Sequence, residues 1–205
     1  ADKENNEEKL NQARMLALEA TRLDPKSQIA WEELARIEQK LGNYSRAAEC
    51  WRQVVRLSSG NTVAYIQLGA VLMLARRTDE ALKVLSDAVN SKPDNWRLRL
   101  EYAAALEQAG RNEQAAEQLR SIPSDAAEAA AALEQLGNLL GKSGDFPGMR
   151  EHYLKLVELR PRDAEAWAVL GLVEEKLGER KAAVEHLEKA LEISPRQSAA
   201  LLGLA

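Results

Sequence analysis

Gly42, Gly110, Gly144 and Gly178 stand on a grid of 34 residues, with Arg76 in its one vacant place. Trp31, Tyr65, Leu133 and Trp167 form a second column, and Leu34, Leu68, Leu136 and Leu170 a third, each leucine followed by Ala35, Gly69, Gly137 or Gly171. Beyond each turn come Ala47, Ala81, Ala115 and Ala183, then the bulky Trp51, Leu85, Leu119, Tyr153 and Leu187, and Pro93, Pro161 and Pro195 close their units. A fixed period without an insertion restricts the fold severely, because each repeat is one supersecondary unit that buries its apolar face only by stacking on its neighbours.

Within one unit, "AWEELARIEQKLGNYSRAAECWRQVVRL", apolar residues at 31, 34, 37 and 41, then at 47, 48, 51, 54 and 55, follow the spacing of a helix stripe. Two amphipathic helices are therefore expected in each unit, separated at Gly42-Asn43, since glycine and asparagine tolerate the left-handed backbone that ends a helix. Small residues such as Ala47 and Gly69 let helices approach, and the large column fills the remaining space.

The columns of Trp, Leu-Gly, Ala, bulky residue and Pro resemble the signature of the tetratricopeptide repeat family. The resemblance implies an all-α fold, a right-handed α-solenoid of stacked antiparallel helix pairs. Its register gives repeats at 28–61, 62–95, 96–129, 130–163 and 164–197, in one continuous solenoid domain. Residues 1–27 read as the second helix of a preceding repeat, with Ala13, Ala20 and Pro25 in register, and 198–205 as the start of a further one. Three residues depart from the pattern: Arg99 in the Trp column, Met149 for a small alanine, and Pro123 inside the second helix of the 96–129 repeat. Irregular packing is expected around them.

The stretch "GNLLGKSGDF" at 137–146 nearly spells a phosphate-binding loop, but it has three residues rather than four before Gly141-Lys142-Ser143, and a helical pattern precedes it where a strand is required. In the 34-residue register Gly137 is a close-packing glycine and Gly144 ends a helix. His152 and His186 are also 34 apart, which reads as duplication on a solvated helix face rather than as ligands to one metal. Cys50 is the single cysteine, so neither an intrachain disulfide nor a thiolate-rich zinc site forms. No catalytic constellation, cofactor or metal site is expected.

The net charge of −4, with both signs mixed along the chain, lacks the basic footprint of a nucleic-acid binder, and no apolar run suits membrane insertion. Of the aromatics only Trp96 falls outside a repeat column, so no base-stacking platform is expected. The reading is a soluble chain, cytoplasmic or periplasmic, with any targeting signal outside this stretch.

The resemblance places a protein or peptide partner along the inner face lined by the first helix of each unit. Mapped here, the candidate lining is Arg36, Val63, Ile66, Ala70, Met73, Arg97, Leu100, Ala104 and Asn138. The segment "NTVAYIQLGAVLMLA" at 61–75 carries no charge, as expected of a helix that is buried all round or offers an apolar surface to an apolar or helical partner segment. In this reading Arg36 and Arg97 serve an acidic group. The family's carboxylate clamp is missing, since its matching places hold Glu32, Arg36, Gln67, Arg97 and Glu101. The asparagine ladder of its sugar-transferase members is missing too, the column reading Glu33, Gln67, Glu101, Gln135 and Val169. The resemblance thus implies a non-catalytic interaction scaffold. Its alternative is the recognition arm of a larger enzyme or of an envelope or exopolysaccharide secretion machine, and self-association through uncapped ends is a third expectation.

Overall fold

The structure is a computed structural model that describes residues 2–205, with side chains from residue 7 onward. Among the described residues it contains helices and no strand. The chain divides into two compact units, residues 1–111 and 112–205. The first holds α1 (Asp2–Leu23), α2 (Gln28–Lys40), α3 (Tyr44–Leu57), α4 (Thr62–Leu74), α5 (Thr78–Ser91) and α6 (Trp96–Gln108). The second holds α7 (Asn112–Arg120), α8 (Ala129–Ser143), α9 (Phe146–Leu159), α10 (Ala164–Lys176), α11 (Arg180–Ile193) and α12 (Ser198–Gly203).

Each turn between the two helices of a pair is built the same way. Gly42, Gly110, Gly144 and Gly178 adopt φ of 74–80°, and among the described residues Arg76 is the one non-glycine residue in this region, at φ 61°. The residue after each of them donates its N–H back to a helical carbonyl, for example Asn43 to Glu38 at 2.8 Å and Arg77 to Leu72 at 2.9 Å, which satisfies carbonyls orphaned by the helix end. Arg76 therefore holds glycine's place at a cost on the order of 1 kcal/mol. At the opposite end, Ser27, Asn61, Asn95 and Asp163 cap α2, α4, α6 and α10, each side chain accepting from a backbone N–H three residues on.

The core of each unit is the seam where small residues on first helices face large ones on second helices. A Cβ on Gly69 would lie 2.8 Å from Leu85, one on Gly137 2.7 Å from the Tyr153 ring, and one on Gly171 2.7 Å from Leu187. In the first unit Trp51, Leu68, Leu72 and Val54 are sealed in one cluster. Met149 is accommodated by Gly141, where a Cβ would sit 2.6 Å from the methionine sulfur, so a large residue has changed sides of the seam without disturbing the pair.

Arg99 is likewise absorbed. Trp31 and Trp167 donate their indole N–H groups to the carbonyls of Pro25 and Pro161 at 3.0 Å, and Arg99 donates Nη2 to the carbonyl of Pro93 at the same distance. Its guanidinium also lies over Trp96, 5.6 Å from the ring centre, which explains the one aromatic outside the repeat columns. Pro123 does interrupt the pattern: α7 has 9 residues where α3, α5, α9 and α11 each have 14. At the start of the chain, α1 runs for 22 residues. Ala20, a packing position in the register, is exposed there.

Two junctions between neighbouring pairs carry an ion pair with a buried carboxylate. Arg14 Nε meets Glu38 Oε1 at 2.6 Å, and Arg150 Nε meets Glu174 Oε1 at 3.1 Å. Both glutamates are sealed, 2% and 0% exposed, and each spends its other oxygen on a second donor, Asn43 at 2.7 Å and His186 at 2.6 Å. The corresponding positions at the other junctions are Ala48 and Leu72, Leu82 and Leu106, and Ala116 and Leu140. A buried carboxylate deprived of its cation is costly, whereas an apolar pair of similar volume is tolerated. Arg150→Leu is therefore expected to destabilise the chain by about 3 kcal/mol, and Arg150→Leu with Glu174→Leu to return to within about 1 kcal/mol of wild type, in urea denaturation followed by helical circular dichroism.

Candidate functional site: the face of the first helices

In the first unit, α4 and α6 present one face together and enclose a cleft of about 310 Å³ lined by Ile66, Ala70, Met73, Leu74, Glu101 and Ala104. The uncharged helix α4 is neither wholly buried nor wholly open. It seals Ala64, Leu68, Val71 and Leu72 in the core, while Ile66 and Met73 are half-buried at the cleft. Val63 and Leu74 are 58% and 53% exposed, and Ile29 on α2, at 74%, adds to the same set of open apolar side chains. Gly69 and Ala105 are also on the lining, together with Leu85, which packs against Gly69.

The candidate residues separate into groups. Ile66, Ala70, Met73 and Ala104 come together on the cleft, and Val63 stands exposed at the start of α4. Leu100 is buried, at 7% exposure, and is not on the cleft lining. Both arginines are held by carboxylates of their own helices: Arg36 by Glu33 at 2.7 Å and Glu32 at 3.6 Å, Arg97 by Glu101 at 3.0 Å. An incoming acidic group would have to displace those partners. Sequence reasoning missed Glu101 and Gln108 as cleft residues, although the i, i+4 spacing of Arg97 and Glu101 signals the pairing.

Asn138 belongs to the second unit, in a separate cleft of about 340 Å³ with Glu134, Tyr153, Arg160, Asp163 and Glu165. Its Oδ1 accepts from the Tyr153 hydroxyl at 2.8 Å. Burial pushes the Tyr153 phenol up to about 12, helped by the carboxylates of Glu134, Glu165 and Asp163. Arg160 bridges Glu134 at 3.3 Å and Asp163 at 3.8 Å. This cleft is thus polar and acidic where that of the first unit is apolar.

Cys50, the two histidines and the Lys142-Ser143 pair lie outside the clefts of α4 and α6 and of Asn138. Cys50 is buried, and burial together with Glu38 and Glu49 raises its thiol to about 12, which suppresses the nucleophilic thiolate. The histidines do not lie on a solvated face, as their spacing suggested. His186 is half-buried, stacked 5.2 Å from Trp167 and bonded to Glu174, and His152 is half-buried with Nδ1 2.8 Å from the Gly148 carbonyl. Lys142 and Ser143 end α8, the Ser143 hydroxyl donating to the Leu140 carbonyl at 2.8 Å, while the space beside Gly137 is filled by Tyr153. Among the described residues no group of three or more His, Cys, Asp or Glu is placed to hold a metal ion, and no helix is long and apolar enough to cross a membrane.

Comparison with known proteins identifies the class. Tetratricopeptide repeat models match residues 72–137 and residues 6–62, 33–89 and 134–198, and the chain belongs to the tetratricopeptide repeat family. It is 27% identical over 169 residues to the BBSome complex member bbs-4 of Caenorhabditis elegans, covering 78% of this chain and 37% of that protein. It is 24% identical over 176 residues to Protein FlbA of Caulobacter vibrioides, covering 86% of this chain and 30% of the relative. The chain thus spans about a third of the length of these curated relatives. Among solved structures, YrrB, described as a TPR protein with an unusual peptide-binding site, matches with a TM-score of 0.64 at 22% identity, covering 92% of this chain and 97% of its own. MamA matches with a TM-score of 0.68 at 20% identity, covering 85% and 95%. At such identities the likeness is one of fold.

One consequence concerns Asn138. Because its side chain accepts from a buried phenol, Asn138→Ala is expected to leave the Tyr153 hydroxyl without that acceptor and to cost about 1 kcal/mol of stability, read as a lower midpoint in urea denaturation.

Proposed function

We propose that this chain is a non-catalytic interaction scaffold whose first unit holds an apolar segment of a partner protein or peptide against α4 and α6. The observation that carries the reading is the cleft between Ile66, Ala70, Met73 and Ala104, continued by the exposed side chains of Val63 and Leu74 on the same helix. Side chains of this kind cost free energy when left in water, and a partner that covers them recovers roughly 25 cal/mol for each Å² of apolar surface removed. Methionine at the centre adapts its shape to what it meets. The preformed ion pairs at Arg36 and Arg97 favour an apolar anchor over a terminal carboxylate as the recognised group. YrrB's description as a peptide-binding TPR protein, and bbs-4's as a complex member, support a protein partner.

The length of the relatives favours a second reading that is compatible with the first. Since this chain spans 37% and 30% of bbs-4 and FlbA, the array serves as the recognition arm of a longer protein, with any further activity residing elsewhere. Ile66→Glu with Met73→Glu introduces two carboxylates at half-buried positions on the cleft and leaves the buried face of α4 untouched. The expected outcome is loss of partner capture from source-cell lysate, read by mass spectrometry, with helical circular dichroism unchanged. Capture of the same proteins by wild type and variant would exclude this face as the docking surface.

A further inference from the structure

The second unit contains a larger cleft that the groove reading does not use, with a volume of about 510 Å³, bounded by the end of α7, by α8 and by α9. Its origin is local. Pro123 has no N–H to continue a helix, and its ring disfavours helical geometry at the preceding residue, so α7 ends at Arg120. In the repeat register, Pro123 corresponds to Val55, Val89, Val157 and Leu191, each in the last turn of its 14-residue helix. Ile122 still occupies the preceding position and is 8% exposed, so the missing volume is that of one branched side chain and the helical turn that carries it. The apolar lining of the cleft is the half-buried Leu133 and the exposed Leu159, above Leu119 and Leu136, which are 4% and 3% exposed.

The rim gives the cleft a sign. Arg120 and Lys155 line it against one carboxylate, Glu158. Lys155 also pairs with Glu151 at 2.7 Å, an exposed and hence weak bond that an incoming acid can share. We propose that this cleft is a second docking site, for an acidic amphipathic helical turn of a partner protein that seats a valine- or leucine-sized side chain where α7 stops short and turns a carboxylate toward Arg120. Preformed clefts of several hundred Å³ with an apolar floor and a few polar rim groups suit such anchoring, and helix-in-groove recognition works through side chains spaced one turn apart. The site lies wholly within the second unit and stands or falls independently of the face of α4 and α6.

The test uses a defined probe, an acetylated and amidated peptide with the sequence of residues 78–91, which carries Val89 in the required position and a net acidic charge. Titrated to millimolar concentration into methyl-labelled protein, it is expected to give saturable NMR shifts at Leu119, Leu133 and Leu136. Affinity should fall by about tenfold with Arg120→Glu, an exposed substitution that leaves folding intact, and shifts should vanish with Leu133→Arg. In the second arm, residues 121–125 are replaced by Asp-Ile-Val-Asn-Ser, the turn that completes α5 with the buried Ile122 kept; α7 should lengthen, the denaturation midpoint should rise and the peptide should no longer bind. No shifts, shifts confined to the first unit, equal affinity with Arg120→Glu, or a lower midpoint for the lengthened helix would each overturn the proposal.

Discussion

The contact on which this fold depends is that of a residue without bulk on one helix with a large side chain on the next. Leu85 lies where a Cβ on Gly69 would be, as Tyr153 does at Gly137 and Leu187 at Gly171. Dense interiors tolerate neither overlap nor void, so each such pair fixes both the spacing and the rotation of two helices. A single pair leaves apolar surface uncovered, and the next pair must supply the cover. Stability is therefore built from nearest-neighbour seams. The same economy shapes the candidate surface, because α4 has its core side sealed by these contacts and its opposite side left open.

The period made most of this legible. Because 34 residues return the chain to the same place in the seam, a column of glycines announced the left-handed turns, and Arg76 in that column adopts the same backbone as its glycine counterparts. Less legible were substitutions that keep a function while changing the chemistry. Arg99 looked like a defect in a tryptophan column, yet it delivers an N–H to the Pro93 carbonyl, the repeat equivalent of the Pro25 and Pro161 carbonyls that Trp31 and Trp167 bond. Met149 looked oversized until Gly141 supplied its missing volume. Glu38 and Glu174 carried no helical signal of burial, and their partners lie in another helix, beyond the reach of a periodicity argument, although the common separation of 24 residues from Arg14 and Arg150 was present in the sequence. At the candidate site, charge counting offered Arg36 and Arg97 to a ligand, whereas the i, i+3 and i, i+4 carboxylates of their own helices occupy them.

The two units carry surfaces of different character. The first offers an uncharged helix and an apolar cleft, the second an acidic cleft around Tyr153 and, at the interrupted helix α7, an apolar one edged with cations. An array of this type diversifies by exposed side chains while the seam stays constant, which is why family membership fixes the architecture and leaves the partner to be read from the faces.

Hydrogen–deuterium exchange resolved along the chain tests the nearest-neighbour account most directly. If stability resides in the seams, amides of α3, α4 and α5 in the first unit and of α9, α10 and α11 in the second will exchange slowest. Those of α1, with Leu16 and Leu23 more than 70% exposed, and of the short α7 and α12 will then exchange by cheaper local opening. Exchange of α1 and α7 at the same rate as α4 and α10, in one global step, would contradict it.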